Sequence, residues 1–469
     1  MKAPTETGLK AVLAGVCTAL TFAVSARAAD LYVPGNYPTI QAAVDAAHSN
    51  DTIHIAAGVY AGQILISDKS LTLSGSPGAV LRVTSGMSQP YSALGSSLVP
   101  LLGILRSEVV VSNLTFEGEH LAENQQNLAH AGVLQAIYFF GSGGRVENCR
   151  ITGFRGNSLG AGTACGLRVV NPVSLGTSPV TNQVLRCTFA DSLISIALGG
   201  DSPSWLSGTF DPTLIRTTFV VSDNTITGNG PDASGTQVGI QIGAGATGEV
   251  SRNTVSDHSY VGTTDPTPFA IGILADDAND FGQSPLAALQ PIRFESNVLR
   301  NNQLHLVVLR GDGSTIVDNT LDGTAPGLRP MGLGVSGENL VIARNRFSSL
   351  PQGIVLFGND PDFGTYLGIA HNAQLNTNRF CNVTNTLTVE PLATDTEQGT
   401  LTCPFPAPAL AITPAVLLSW PIDEDGWTVE SAPAVDGPWT PLIATPFVQG
   451  DRKSVAVPTD AQRRFFRLR

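Results

Sequence analysis

Short apolar stretches separated by polar corners recur along most of the chain. Ala136-Ile-Tyr-Phe139, Gly166-Leu-Arg-Val169, Ser195-Ile-Ala-Leu198, Gly239-Ile-Gln-Ile242, Gly272-Ile-Leu-Ala275, Leu306-Val-Val-Leu309 and Gly353-Ile-Val-Leu356 are typical. Each alternates like a strand with one buried side. A second pattern sits between them: a polar residue, often Asn, then one or two residues, then an apolar one. It reads Asn113-Leu-Thr-Phe116, Asn148-Cys-Arg-Ile151, Arg186-Cys-Thr-Phe189, Asn224-Thr-Ile226, Asn253-Thr-Val255, Asn297-Val-Leu299, Asn319-Thr-Leu321, Asn345-Arg-Phe347 and Asn378-Arg-Phe380. Successive anchors lie 35, 38, 38, 29, 44, 22, 26 and 33 residues apart. A constant motif at irregular spacing predicts a solenoid whose shortest coil is bare and whose longer coils carry loops. Asn suits the corner because it tolerates left-handed backbone. Its amide can also bond to the same amide one rung away.

The start of the pattern differs. Ile40, Ala43, Val44 and Ala47 fall on one face of a predicted helix. Such a helix would plug the open end of the solenoid core. Tyr37-Pro-Thr-Ile-Gln-Ala-Ala-Val-Asp-Ala-Ala47, then Asp51-Thr-Ile-His-Ile-Ala-Ala-Gly-Val-Tyr60, then Leu71-Thr-Leu-Ser-Gly75 resembles the opening of pectin-lyase-like right-handed parallel β-helix proteins. The resemblance spans residues 30–402 and implies the fold: all-β, one strand-rich helix with an N-terminal cap. It does not imply one activity, because this opening precedes esterases, lyases, hydrolases and non-catalytic surface proteins.

The pattern changes again after Thr402. Cys403-Pro-Phe-Pro-Ala-Pro-Ala409 opens a proline-rich linker over 403–411. Residues 412–469 read as a small β module with Trp420, Trp427 and Trp439 and the turns Asp423-Glu-Asp-Gly426 and Asp436-Gly-Pro438. It resembles short C-terminal β domains on exported bacterial proteins, which share its Trp-Pro opening, central Trp and Phe-Phe-Arg-Leu ending. Its tryptophans are expected in a core; a sugar-stacking surface and a role in sorting or attachment are the other readings.

Composition narrows the class. Of 469 residues, 14% are charged and 42% hydrophobic. The first figure disfavours charged helical bundles and the second disfavours disorder. Lys2 and Lys10 precede an apolar stretch, and Ala26-Arg-Ala28 offers small residues where a signal peptidase cuts. Residues 1–28 are therefore expected to be a signal peptide, with a secreted, periplasmic or cell-surface destination and no membrane span thereafter. Losing three basic residues and one acidic one takes the net charge from −12 to −14, which disfavours nucleic acid. Five cysteines remain. Cys381 and Cys403 are the candidate disulfide; Cys149 and Cys187, at matching positions of neighbouring repeats, either bridge or stack as thiols.

Candidate chemistry comes from alignment of the second strands. Asp276 and Arg310 fall at equivalent outward positions, with Asp277, Asp312, Glu338 and Asp360 just beyond. Rungs about 4.8 Å apart suit carboxylate pairs for acid–base work. Asp276, Asp277 and Arg310 are the candidate catalytic residues. Asp276, Asp280 and Asp312 are the candidate calcium ligands, calcium being the one cofactor considered. Tyr138, Arg168 and Gln241 are candidate substrate contacts along an outward groove. Asp257-His258 and His305 are weaker candidates, with structural roles expected.

The family resemblance implies a lysine or arginine base if the protein is a lyase. Lys69 is the one lysine of the β-helix and lies near the cap, which leaves Arg310 or Arg168. The Gln-Asp-Thr-Leu and Trp-Gly-Arg segments of pectinesterases are absent, and Ala275-Asp-Asp277 lacks the glycine of the Gly-Asp-Asp unit in polygalacturonase-like hydrolases. Two readings follow: an exported monomeric protein that binds or processes a polysaccharide, as a lyase or hydrolase if catalytic, or a non-catalytic surface or adhesive scaffold.

Overall fold

Three strands per turn wind into a right-handed parallel β-helix. The structure is a computed structural model. It describes residues 28–94, 96–119, 134–155, 164–176, 178–199, 215–232, 237–243, 245–262, 269–276, 289–359, 367–402, 415–421, 428–442, 447–449, 452–458 and 464–469. The chain divides into two compact units, Met1–Thr402 and Cys403–Arg469.

The first face of the β-helix is a 13-stranded parallel sheet running from Asp30–Val33 to Asp395–Gln398. The second and third faces merge into one 21-stranded sheet, because Arg346–Leu356 and Arg379–Val389 run unbroken around the corner between them. Residues of equal rank stack: Ile137, Leu167, Ile196, Ile240, Ile273, Leu306, Leu333 and Ile354 form one row of the core. All eight are fully buried. The helix Ile40–Ala46 caps this core with Ile40, Ala43 and Val44. Thr39 Oγ1 accepts from the Ala42 N–H at 3.1 Å to start it. Lys69 Nζ donates to the carbonyls of Val44 (2.9 Å) and Ala47 (3.0 Å) to finish it.

The expected asparagine ladder forms, but its asparagines do not take the left-handed backbone, which falls on the residue before each of them. The left-handed position holds Asn113, Asn148, Arg186, Asp223, Arg252, Ser296, Asp318, Arg344 and Thr377, with φ between 51° and 60°. The next residue points inward. Asn224, Asn253, Asn297, Asn319, Asn345 and Asn378 occupy that inward place, and each amide Nδ2 donates to the Oδ1 of the next at 2.9–3.0 Å. Asn113 and Asn148 are therefore turn residues, and Leu114, Cys149 and Cys187 hold the ladder position in their coils.

Cys149 and Cys187 are free thiols. Their Sγ atoms reach Val111 O (3.7 Å) and Val146 O (3.6 Å), the bond that Asn224 Nδ2 makes to Val184 O (2.9 Å). Each Sγ lies nearer still to the carbonyl two residues before it, Glu147 O and Leu185 O (both 3.3 Å), so the thiol fills the amide's place without its paired bonds. The two thiols should resist a water-soluble thiol reagent until the protein unfolds, and Cys187→Asn should melt within about 1 kcal/mol of the parent; labelling of either cysteine in the native protein would contradict this packing. Cys381 is disulfide-bonded, and its expected partner Cys403 lies outside the described residues. So do residues 1–27 of the expected signal peptide, 1–28, and the whole of the expected linker, residues 403–411.

The second unit packs two three-stranded antiparallel sheets, Ala415–Pro421, Arg452–Pro458 and Phe447–Gln449 in one, and Val429–Ala432, Thr440–Pro441 and Phe465–Leu468 in the other. Trp420 is buried with Val429, Val455 and Val457, as a core tryptophan should be. Trp439 is half-exposed, with the Arg467 guanidinium 4.4 Å above its ring and the buried Glu430 carboxylate holding Arg467 at 2.7 Å. Trp427 lies outside the described residues.

Candidate functional site

The expected catalytic set does not assemble as aligned. Ala275 pairs with Val308, so Asp276 stacks on Leu309, not on Arg310. A one-residue slip moves a side chain to the other face of a strand. Arg310 instead sits at the corner, half-buried, with φ 53°, and its N–H donates to Ser336 Oγ at 2.8 Å. Asp276 is only 2% exposed. Asp312 Oδ1 accepts from the Glu338 N–H at 2.8 Å and ties two rungs together. Asp277, Asp280 and Asp360 lie outside the described residues. Among the described residues no three His, Cys, Asp or Glu side chains gather as a metal would need.

The third face, which carries Leu134–Phe140, Cys165–Val170, Ile194–Leu198 and Val238–Ile242, does not present the expected outward groove. Tyr138, Arg168, Ala197 and Gln241 do form one outward row, but the row is covered. Tyr138 is 1% and Arg168 8% exposed. Tyr138 lies under Tyr91 and Phe140, with ring centroids 5.9 and 5.3 Å away, and meets Ser96 Oγ at 3.2 Å. Burial pushes its phenol well above the usual range. Arg168 Nε donates to Gln135 Oε1 at 2.9 Å. Further along, Leu274, Val307, Leu309, Val355 and Phe357 belong to a second apolar layer outside the helix. These outward side chains pack on one another and on Phe269 and Leu367, so strand alternation here reports two cores rather than a core and a solvent side. Of the expected contacts, Gln241 alone is half-exposed.

His258 and His305 are both fully inside. His258 Nδ1 donates to Asn302 Oδ1 (2.9 Å), Asn302 Nδ2 donates to His305 Nδ1 (3.3 Å), and His305 Nε2 donates to Gly323 O (2.6 Å). This assigns one neutral tautomer to each ring. Burial lowers each pKa to about 4. The pair is a second polar ladder at another corner.

Open polar space lies instead at the corner between third and first faces, over the early coils. Ser67, Leu105, Phe140 and Val170 pair in register, so Asp68, Arg106, Gly141 and Asn171 follow as successive corner residues. Ser70, Glu108 and Gly143 start the next strands side by side. Side chains stand out from two coils, and the next coil offers only Gly141 and Gly143. The result is a cleft of about 450 Å³ lined by Asp68, Lys69, Arg106, Glu108, Ser178 and their neighbours. Arg106 grips Asp68 with two bonds, 2.7 and 2.8 Å, and the guanidinium holds that carboxyl below its ordinary range. Partial burial pushes the Glu108 carboxyl upward. The missing side chain matters here: a Cβ on Gly143 would collide with the Glu108 carboxylate.

One wall of the cleft is the segment from Asn171 to Val180, which includes the turn Val173–Leu175. Leu175 rests on Gly141, where an added Cβ would come within 2.7 Å of Leu175 Cδ1. It packs on the aromatic cluster of Tyr91, Tyr138 and Phe140. Tyr138 is thus the floor beneath the wall and not a contact surface. Alignment of strands alone misses this site. Its signal in the sequence is the pairing of Asp68-Lys69 and Arg106-Ser-Glu108 with a coil whose corner is Gly141-Ser-Gly143.

Residues 135–336 match the family model described as right handed beta helix region. No curated protein matches the chain. Among solved structures the chain is similar to the A-module of the Azotobacter vinelandii mannuronan C-5 epimerase AlgE6, at 13% identity over 78% of this chain and 94% of that one, with a TM-score of 0.44. It is similar to the catalytic domain of a GH87 α-1,3-glucanase, at 14% identity over 77% and 67% with a TM-score of 0.45. It is also similar to PfbA, a surface adhesin of Streptococcus pneumoniae, at 10% identity over 76% and 91% with a TM-score of 0.45. These are likenesses of fold.

Proposed function

We propose that this chain, which resembles pectin-lyase-like right-handed parallel β-helix proteins, is an exported polysaccharide-binding protein, and that the cleft at Glu108 is where it holds the sugar. One observation carries the reading: an open cleft of about 450 Å³ lined mostly by hydroxyls, backbone and charged groups, with Leu175, Pro179 and Val180 as an apolar strip on one wall. That volume is in the range of small-ligand sites, and the lining suits a hydroxylated ligand better than an apolar one. In this reading Glu108 accepts hydrogen bonds from sugar hydroxyls. The Asp68–Arg106 pair presents fixed polar edges, and Ser178 adds a hydroxyl at the rim. Asp68 and Glu108 both line the cleft, and Asp68 is already engaged by Arg106, which favours a binding role for Glu108.

The test uses the protein without residues 1–28. A panel of neutral, amino-sugar and uronate polysaccharides is passed over it, with calcium or with chelator, while reducing ends and unsaturated-uronate absorbance are followed. Retention of one polysaccharide without new ends is the expected result, and Glu108→Ala should weaken it at least about tenfold, the loss of a charge-assisted hydrogen bond. Unchanged affinity in that variant would remove the cleft from consideration. New chain ends would favour the catalytic reading, with Asp276, Asp277 and Arg310 to be substituted next. Silence across the panel would favour the scaffold reading.

A further inference from the structure

Arg216 is among the largest fully buried side chains of the molecule, yet it is an arginine. It stands immediately before the first-face strand Thr217–Ser222, in the coil beyond the cleft wall, and it does not line the cleft. Its Nε donates to Asn171 O at 3.2 Å, and its terminal nitrogen donates to Gly176 O. Its own carbonyl accepts from Asn171 Nδ2 at 2.6 Å and from the Val180 N–H at 3.0 Å. The residue itself is anchored from the following coil, where Gly245 O accepts its N–H at 2.7 Å. The guanidinium therefore ties Asn171 and Gly176 to a rung of the rigid helix, and the Arg216 carbonyl ties Val180 to the same rung. Leu175 pins the tip of the same segment to the aromatic cluster.

A buried guanidinium is costly unless several acceptors meet it. A surface loop seldom needs such an anchor for stability alone, because loops tolerate motion at little cost. The planar fork of arginine suits two carbonyls at a set distance, which an ammonium cannot match. The fixed object here is one wall of an open cleft. We propose that Arg216 is a positioning residue for the cleft: it holds the 171–180 wall in its ligand-ready place, so that binding costs no loop ordering. The proposal rests on the reading of the cleft as a sugar site.

The experiment compares the parent with Arg216→Lys and Arg216→Met. Amide exchange is measured over residues 171–180, the melting midpoint is recorded, and affinity is measured for whichever oligosaccharide of a neutral, amino-sugar and uronate array the parent binds most tightly. The expected result is faster exchange confined to this segment and affinity weakened roughly ten- to a hundredfold. Arg216→Lys should fall between parent and Arg216→Met. Glu108→Ala should lose affinity with no change in exchange, which separates contact from positioning. Faster exchange at undiminished affinity, or unchanged exchange in both variants, would overturn the proposal. If Arg216→Met fails to fold, Arg216→Lys alone decides between these outcomes. A parent that binds no member of the array overturns the sugar reading of the cleft, and this role falls with it even where exchange shows Arg216 to be an anchor.

Discussion

Replacing Asn297 by Leu should cost about 3–5 kcal/mol, the largest loss expected from any single surface-neutral change in the β-helix. Asn297 Oδ1 accepts from both the backbone N–H and the Nδ2 of Asn253, each at 3.0 Å. Its Nδ2 donates to Val250 O at 2.8 Å and to Asn319 Oδ1 at 3.0 Å. All of these groups are buried; leucine takes the side-chain acceptor from the Asn253 N–H and the side-chain donor from Val250 O, while Asn253 Nδ2 keeps Val221 O (2.9 Å) and Asn319 Oδ1 keeps the backbone N–H of residue 297 (2.9 Å). Leucine is tolerated at the same position in an earlier coil, where Leu114 stacks on Cys149 at the end of the row. The difference is that no amide ladder runs through Leu114. A denaturant titration checks the prediction, and a loss under about 1 kcal/mol would show that the ladder is ornamental.

Acid should destabilise the β-helix well before its carboxylates titrate. His258 and His305 are held neutral, chiefly by burial, with pKa values of about 4 against 6.5 for the free side chain. Asp257 and Asp322 pull the other way and do not prevail. Between those values the unfolded chain binds protons that the native state refuses. Stability therefore falls as pH drops from about 6.5 to about 4, and is level below that for these two groups. Each ring contributes on the order of 3 kcal/mol over the window. The lowered carboxyls Asp51, Asp68, Asp223 and Asp318 act in a lower window, losing their share only as pH falls through and below the ordinary carboxylate range. A chemical-denaturation series from pH 7 to 4 should show the slope, and His258→Gln with His305→Gln should flatten it. A parent whose stability is level across that window would refute the assignment.

The exposed ion pairs that accompany the ladder deserve less weight. Arg186–Glu147, Arg252–Asp223 and Arg344–Asp318 line the outer corner at 2.6–2.9 Å, but at such exposure each adds little. Their sign alternates along the corner, which neutralises it and leaves no charged stripe for a ligand.

Much of this architecture is legible in the chain because it is local and repeated. Alternating apolar residues name the strands, Asn before a short apolar run names the corner, and Ile40, Ala43 and Val44 name the cap. Each signal is set by period or turn geometry, and repetition makes it plain. Register was the first thing beyond reach. Placing Asp276 opposite Arg310 required knowing whether one residue intervenes, and only the hydrogen bonds between rungs decide that. Exposure was the second. Tyr138 and Arg168 point outward from their strands, as alternation says, yet outward is not solvent when another layer lies above. The cleft was the third, since Asp68, Glu108, Gly143 and Arg216 are spread over 149 residues of chain. By itself the sequence determined the coil, because the coil is built from neighbours in the chain. Only the tertiary structure decided where polar groups meet open space, because that depends on which coils carry side chains, which carry glycine, and what each loop covers.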